Sequence, residues 1–234
     1  LEERVRLART VVELVDGRVG VIASGHISHG MEEQVQEINR MAETGVEAVV
    51  LVTNRPAPEG APDEVWKQNL ERLLEQIPVS MPLGFYECPY PYKRLLTPEL
   101  MAWCAETGRF VFLKDTSCDP EQIRAKLAVA GDVKLYNANA ATLLESLRDG
   151  AAGYSSVMGN VHPELYAWLC NHWEADPERA EQLQNFLGVA SMLGARAYPV
   201  CAKYYLQLEG LAISLQTRTR PASDLTPSIR MEVE

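Results

Sequence analysis

Two short apolar runs end in residues that handle protons and carbonyl groups: Leu83-Gly84-Phe85-Tyr86 closes on a tyrosine, and Phe110-Val111-Phe112-Leu113-Lys114 closes, 28 residues further on, on a lysine. Each run reads as a strand, and 110–113 reads as one buried on both faces. A lysine amine held against apolar neighbours loses hydration, its pKa falls, and neutral amine becomes available to attack a carbonyl carbon. The chemistry is then Schiff-base formation. A tyrosine hydroxyl at the end of a neighbouring strand relays protons as the carbinolamine forms and collapses. The alternatives are a Lys114 that lays its stem along the strand end with its head in water, and a Tyr86 that is core with its hydroxyl on a backbone carbonyl.

Further along, Gly153-Tyr154-Ser155-Ser156-Val157 places small and hydroxyl-bearing residues at a strand end. There a glycine admits a ligand close to the backbone and serines bond its oxygens. Asn137-Ala138-Asn139 offers amides suited to hydroxyl-rich substrates, or to capping the helix that follows. Asn137, Asn139, Ser155 and Ser156 together predict a mouth that prefers a polyhydroxylated substrate. His26 and His29, three apart beside a strand end, lack a third metal ligand in reach of the pattern, so no metal and no cofactor is expected. His162 and His172 read as surface residues, and Cys88 as a small apolar filler beside Tyr86.

These residues need a scaffold, and the chain alternates strand and helix. Helical stripes cover 5–15 (stopped by Asp16-Gly17), 35–42, 63–76, the segment opened by Thr97-Pro98-Glu99, 120–129 and 140–148. Strands are predicted at 18–24, 46–52, 82–86, 110–113, 133–137 and 151–156. After Ser156 the pattern is all helical, at 162–173, 177–193 and 199–207, followed by a polar tail. Alternation at this spacing means parallel β/α units, either an eight-stranded barrel or an open doubly wound sheet. The sheet would want a G-x-G-x-x-G turn after its first strand, and Gly25-His26-Ile27-Ser28-His29-Gly30 is not one. The expectation is an α/β protein, a (β/α)8 TIM barrel with extra carboxy-terminal helices. Residues 1–160 would supply barrel strands three to eight, 161–234 a helical extension, and the first β-α-β unit, about sixty residues, would precede Leu1.

The 234 residues are 47% hydrophobic and 23% charged, which suits a globular chain, and a net charge of −10 argues against nucleic acid or an anionic membrane as partner. Five cysteines without C-x-x-C spacing suggest reduced thiols and a cytoplasmic protein. No apolar run approaches the roughly 18 residues of a membrane span, and no signal peptide is read.

Tyr86-Glu87-Cys88-Pro89, then Lys114-Asp115-Thr116-Ser117, then Gly153-x-x-Ser156-Val157, resembles the dihydrodipicolinate synthase and N-acetylneuraminate lyase family in order and spacing, from residue 1 to about 210. The resemblance implies a (β/α)8 barrel and a homo-oligomer, tetramer or dimer. It makes Lys114 the lysine that forms a Schiff base with pyruvate or another 2-keto acid, Tyr86 its proton relay, and Gly153 and Ser155 part of the keto-acid pocket. The activity implied is that of a class I aldolase or lyase making or breaking a carbon–carbon bond. Rival expectations are a sugar-acid dehydratase using the same imine and a catalytically silent relative that binds keto or sugar acids. Four features depart from the family. Its G-T-T-G-E turn would fall before Leu1. Thr53-Asn54-Arg55-Pro56 stands where some members have a tyrosine, and Tyr90-Pro91-Tyr92-Lys93-Arg94 lengthens the segment that carries the synthases' arginine. Asp115 replaces a frequent glutamate.

Overall fold

The helical stripe at the start of the chain forms α1 (Glu2–Val15), which buries Val5 and Ala8 in the computed structural model describing residues 1–234. Two compact units follow one another, Leu1–Tyr136 and Asn137–Glu234. In the first, strands β1 (Ile22–Ala23), β2 (Ala48–Val52), β3 (Leu83–Tyr86) and β4 (Phe110–Asp115) pair in parallel, in chain order. Helices α2 (Met31–Ala42), α3 (Asp63–Leu74), α4 (Pro98–Glu106) and α5 (Pro120–Leu127) alternate with them. Strand β5 (Lys134–Asn137) follows α5 at the end of the first unit, and β6 (Gly153–Tyr154) belongs to the second. The α/β class and sequential strand order expected from the sequence are both present.

Local rules account for the boundaries of the helices. Thr97 accepts a hydrogen bond from Leu100 N with Pro98 in the first turn of α4, and Asp119 accepts from Glu121 N ahead of Pro120 in α5. One face of the sheet packs Val49, Leu51, Leu83, Phe85 and Leu113 out of water. Trp66 of α3 meets Phe85 at 5.6 Å and donates its indole N–H to Thr53 O at 2.7 Å. The other face collects Ala48, Val50, Phe112, Tyr86 and Tyr136.

The β3–β4 ladder carries the one departure that matters for chemistry. Leu83 pairs with Phe110, but Gly84 pairs with Phe112, so Val111 is left unopposed as a β-bulge. The expectation that 110–113 is buried on both faces fails here, because Val111 is 42% exposed. Phe110 and Phe112, two apart, would share a face in a regular strand. The bulge instead stacks Phe110 on Phe85 at 4.3 Å and sends Phe112 to the opposite face. Phe112 then lies across Gly84, where a Cβ would fall 2.2 Å from its ring, so only glycine fits. Beyond the bulge the register pairs Tyr86 with Lys114; without it Tyr86 would face Leu113.

Several boundaries also differ. The 18–24 strand contracts to Ile22–Ala23 with Ile22 exposed, and 151–156 contracts to Gly153–Tyr154. In the second unit α6 (Leu143–Arg148), α7 (Pro163–His172) and α8 (Pro177–Ala190) pack around Leu143, Leu144, Leu147, Leu169 and Leu187, with Tyr154 stacked on Tyr166 at 4.0 Å. His162 is not a surface residue: it lies between the rings of Phe186 and Tyr205, whereas His172 is exposed. The polar tail is also structured. Helix α10 (Pro227–Val233) buries Val233, and Leu225 joins the same cluster with Val200 and Cys201 of α9 (Val200–Leu208). No helix is long and apolar enough to cross a membrane.

Candidate active site

Because Tyr86 and Lys114 are paired in register, their side chains project from the same face of neighbouring parallel strands. Lys114 Nζ sits 4.3 Å from the centre of the Tyr86 ring, over its face. That contact favours the ammonium by about 0.5–2 kcal/mol, and the nearby Cys88 also favours it. Burial acts against both and prevails, holding the amine below the usual lysine range. On Tyr86, burial first and then Cys88 push the phenol up to about 12, so the hydroxyl keeps its proton near neutrality. Cys88 is turned back against the tyrosine by a tight turn in which Cys88 N donates to Tyr86 O at 2.8 Å. Cys88 is partly exposed and borders both Tyr86 and Lys114.

The loop after β3 is tied down along its length. Asn54 Nδ2 lies 3.1, 2.8 and 2.6 Å from the carbonyl oxygens of Cys88, Tyr90 and Tyr92, and Thr53 Oγ1 donates to Arg94 O at 2.6 Å. Thr53 and Asn54, both buried, therefore serve as anchors for this loop. Arg94 pairs with Asp63 at 2.5 Å and donates to Ala61 O at 2.9 Å, which commits its guanidinium to the start of α3.

Beside β2, His26 is fully buried. Its Nδ1 accepts from Val52 N at 3.0 Å and its Nε2 lies 2.7 Å from Gln34 Oε1. Both ring nitrogens are occupied, and His29 lies against Arg55 instead, at 3.1 Å. Glu37 accepts from Ile27 N, Ser28 N and Ser28 Oγ and pairs with Arg4, which makes 25–30 a held turn.

The model of the dihydrodipicolinate synthetase family matches residues 1–234. The chain belongs to that family. It is 30% identical over 189 residues to the 4-hydroxy-tetrahydrodipicolinate synthase of Thermodesulfovibrio yellowstonii, covering 78% of this chain and 62% of that one. It is 28% identical over 219 residues to the Bacillus subtilis enzyme of the same name, covering 91% and 73%. The chain thus spans less than two thirds of the Thermodesulfovibrio protein, and 57% of its Acidithiobacillus ferrooxidans relatives. A dihydrodipicolinate synthase of Bacillus anthracis shares the fold with a TM-score of 0.86 at 25% identity, over 99% of this chain and 78% of that one. YagE, a prophage protein of the same family from E. coli K12 solved with pyruvate, gives 0.85 at 20% identity over 99% and 78%.

Within this family member, Tyr86 and Lys114 are the predicted residues that stand together. The others lie in the second unit, where Asn137 is fully buried. Its amide donates to Thr142 O, Thr142 Oγ1 and Ser146 Oγ at 3.0–3.3 Å, and its carbonyl accepts from Asn139 N at 2.7 Å. Those bonds use its hydrogen-bonding groups to shape the turn after β5. Gly153 is buried, Ser155 and Ser156 are partly exposed, and Ser155 N donates to Asn137 O at 3.0 Å. Three buried charges next to the site, Glu87, Asp115 and Lys126, escaped sequence reasoning. Their signal was present: two of them directly follow Tyr86 and Lys114, and alternation along a strand sends them to the opposite face.

Proposed function

We propose that the protein acts as a Schiff-base-forming lyase or aldolase of the dihydrodipicolinate synthase type on a pyruvate-like 2-keto acid. Lys114 supplies the amine and Tyr86 the proton relay. The observation carrying this reading is the desolvated Lys114 amine held over the Tyr86 ring at 4.3 Å. Burial raises the share of neutral amine, whose lone pair adds to the keto carbon to give a carbinolamine. Tyr86, protonated at neutral pH, delivers a proton to the departing hydroxyl and takes one back, so water leaves and the imine forms. Loss of a proton from the carbon beside the imine then gives an enamine, the nucleophile that makes the carbon–carbon bond; reversal breaks it.

The same reading takes residues 1–160 as strands three to eight of a (β/α)8 barrel, with 161–234 as a helical extension, and the working protein as a cytoplasmic homo-oligomer, tetramer or dimer. Gly153 and Ser155 are proposed keto-acid binding residues on the strength of the family resemblance, and Ser156 on that of its hydroxyl at the same strand end; Ser155→Ala should raise KM more than it lowers kcat. The central test is borohydride reduction with pyruvate. The adduct mass should fall on the peptide carrying Lys114 and vanish in Lys114→Ala. Labelling at another lysine overturns the assignment. An imine without turnover on any aldehyde partner points to a dehydratase or to a silent binder.

A further inference from the structure

The carboxylates that follow the two site residues share one ammonium. Lys126 Nζ, from α5, lies 2.6 Å from Glu87 Oε1 and 2.6 Å from Asp115 Oδ2, with all three side chains out of water. The remaining oxygens are also satisfied. Glu87 accepts from Leu96 N at 2.8 Å and Thr116 N at 2.9 Å, and Asp115 accepts from Ser117 N at 2.8 Å and Ser117 Oγ at 2.6 Å. Thr116 Oγ1 closes the link between strand ends by donating to Glu87 O at 2.7 Å. Burial, with Asp115 beside it, raises the Glu87 carboxyl while Lys126 opposes that rise.

These charges point away from the face that carries Tyr86 and Lys114. A buried ion cluster is no better for stability than apolar packing of similar volume, so its use here calls for something apolar packing supplies poorly. An ammonium bonded to two carboxylates fixes a distance and a direction. The β3–β4 ladder needs such a fix, because its bulge at Val111 sits only a few residues upstream. Losing that bulge would set Leu113 opposite Tyr86 and turn Lys114 to the helix-covered face.

We propose that Lys126 is a positioning residue for imine formation: by bonding both Glu87 and Asp115 it clips the ends of β3 and β4 in the register that holds the Lys114 amine over the Tyr86 ring. The proposal rests on the imine reading above, and it extends that reading to three residues that touch neither substrate nor reacting atoms.

The decisive variant in the full-length protein is Glu87→Gln/Asp115→Asn/Lys126→Met, which removes the clip and leaves no buried charge uncompensated. Glu87→Gln alone, which keeps Lys126 paired with Asp115, is a milder second variant should the triple fail to fold. Two quantities are read on the Lys114 peptide by mass spectrometry: the rate of borohydride-trapped imine with pyruvate, and the pH midpoint of labelling by a small amine-reactive reagent without any keto acid. Loosening the register by about an ångström should slow trapping by roughly ten- to a hundredfold in the triple variant. Water reaching the amine should raise the labelling midpoint. Glu87→Gln should shift both in the same direction by less. A folded variant that melts earlier yet traps at the wild-type rate with an unchanged midpoint overturns the proposal and leaves the cluster a stability element. Failure of the wild-type protein to form an imine would instead sink the proposed function. The labelling midpoint would then still judge the clip, an unchanged value counting against it.

Discussion

Acid should loosen the sheet beside the site through one buried imidazole, and the size of the effect follows from His26. Nδ1 accepts the Val52 N–H, and Nε2–H is the donor to Gln34 Oε1. A second proton has no acceptor to face, because Nδ1–H would meet the Val52 N–H. Burial is the largest cause and lowers the group from 6.5 to about 4, despite the hydrogen bond to Gln34 and the charge of Glu37. Above the unfolded value both states are neutral and the full stability is present. As pH falls from 6.5 toward 4, the unfolded chain takes up a proton that the native state refuses, so stability drops by about 1.4 kcal/mol per pH unit. The total is about 3 kcal/mol, and the loss levels off once the native ring also protonates. Urea melts of the wild type and of His26→Asn, which offers Val52 an acceptor that does not titrate, isolate the contribution, since other titrating groups cancel in the difference. The stability advantage of wild type should shrink by about 3 kcal/mol between about pH 7 and about pH 4. A difference constant within about 0.5 kcal/mol, or one that grows on acidification, would refute the argument. Val52 pairs with Tyr86 in the β2–β3 ladder, so imine trapping should fall over the same pH window.

Further perturbations test other links. Gly84→Ala drives a methyl into the Phe112 ring and should cost about 1–3 kcal/mol while slowing imine formation; a variant equal to wild type in both denies the close approach. Asn54→Ala strips the amide from the Cys88, Tyr90 and Tyr92 carbonyls and should cost about 1–3 kcal/mol, with faster amide exchange across 88–96 as the readout. Exposed Cys118 holds a left-handed backbone at φ 59, so Cys118→Gly should stabilise by up to about 1 kcal/mol, and a lower melting temperature would contradict this. Tyr86→Phe should slow imine formation by roughly two to four powers of ten with Lys114 still able to label; an unchanged rate would assign the relay elsewhere.

Much of this molecule was legible in one dimension, because the signals concerned are local. Apolar runs of strand length alternating with helical stripes encode a parallel α/β sheet in chain order. Thr97-Pro98 and Asp119-Pro120 mark their helix starts, since a cap bonds an amide only two or three residues away. Tyr86 and Lys114 stood out as polar residues ending apolar strands. That they meet was decided by tertiary structure: the bulge at Val111 shifts the register by one, with Phe110 stacked on Phe85 and Phe112 laid across Gly84. No periodicity within β4 carries that information. The same holds for Lys126, which reads as an ordinary charge in a helix until folding sets it against two carboxylates 39 and 11 residues away in sequence. His162 and the helix at Pro227–Val233 looked solvated for the same reason. Their burial depends on partners distant along the chain, and a residue's own type and neighbours do not specify which surface will cover it.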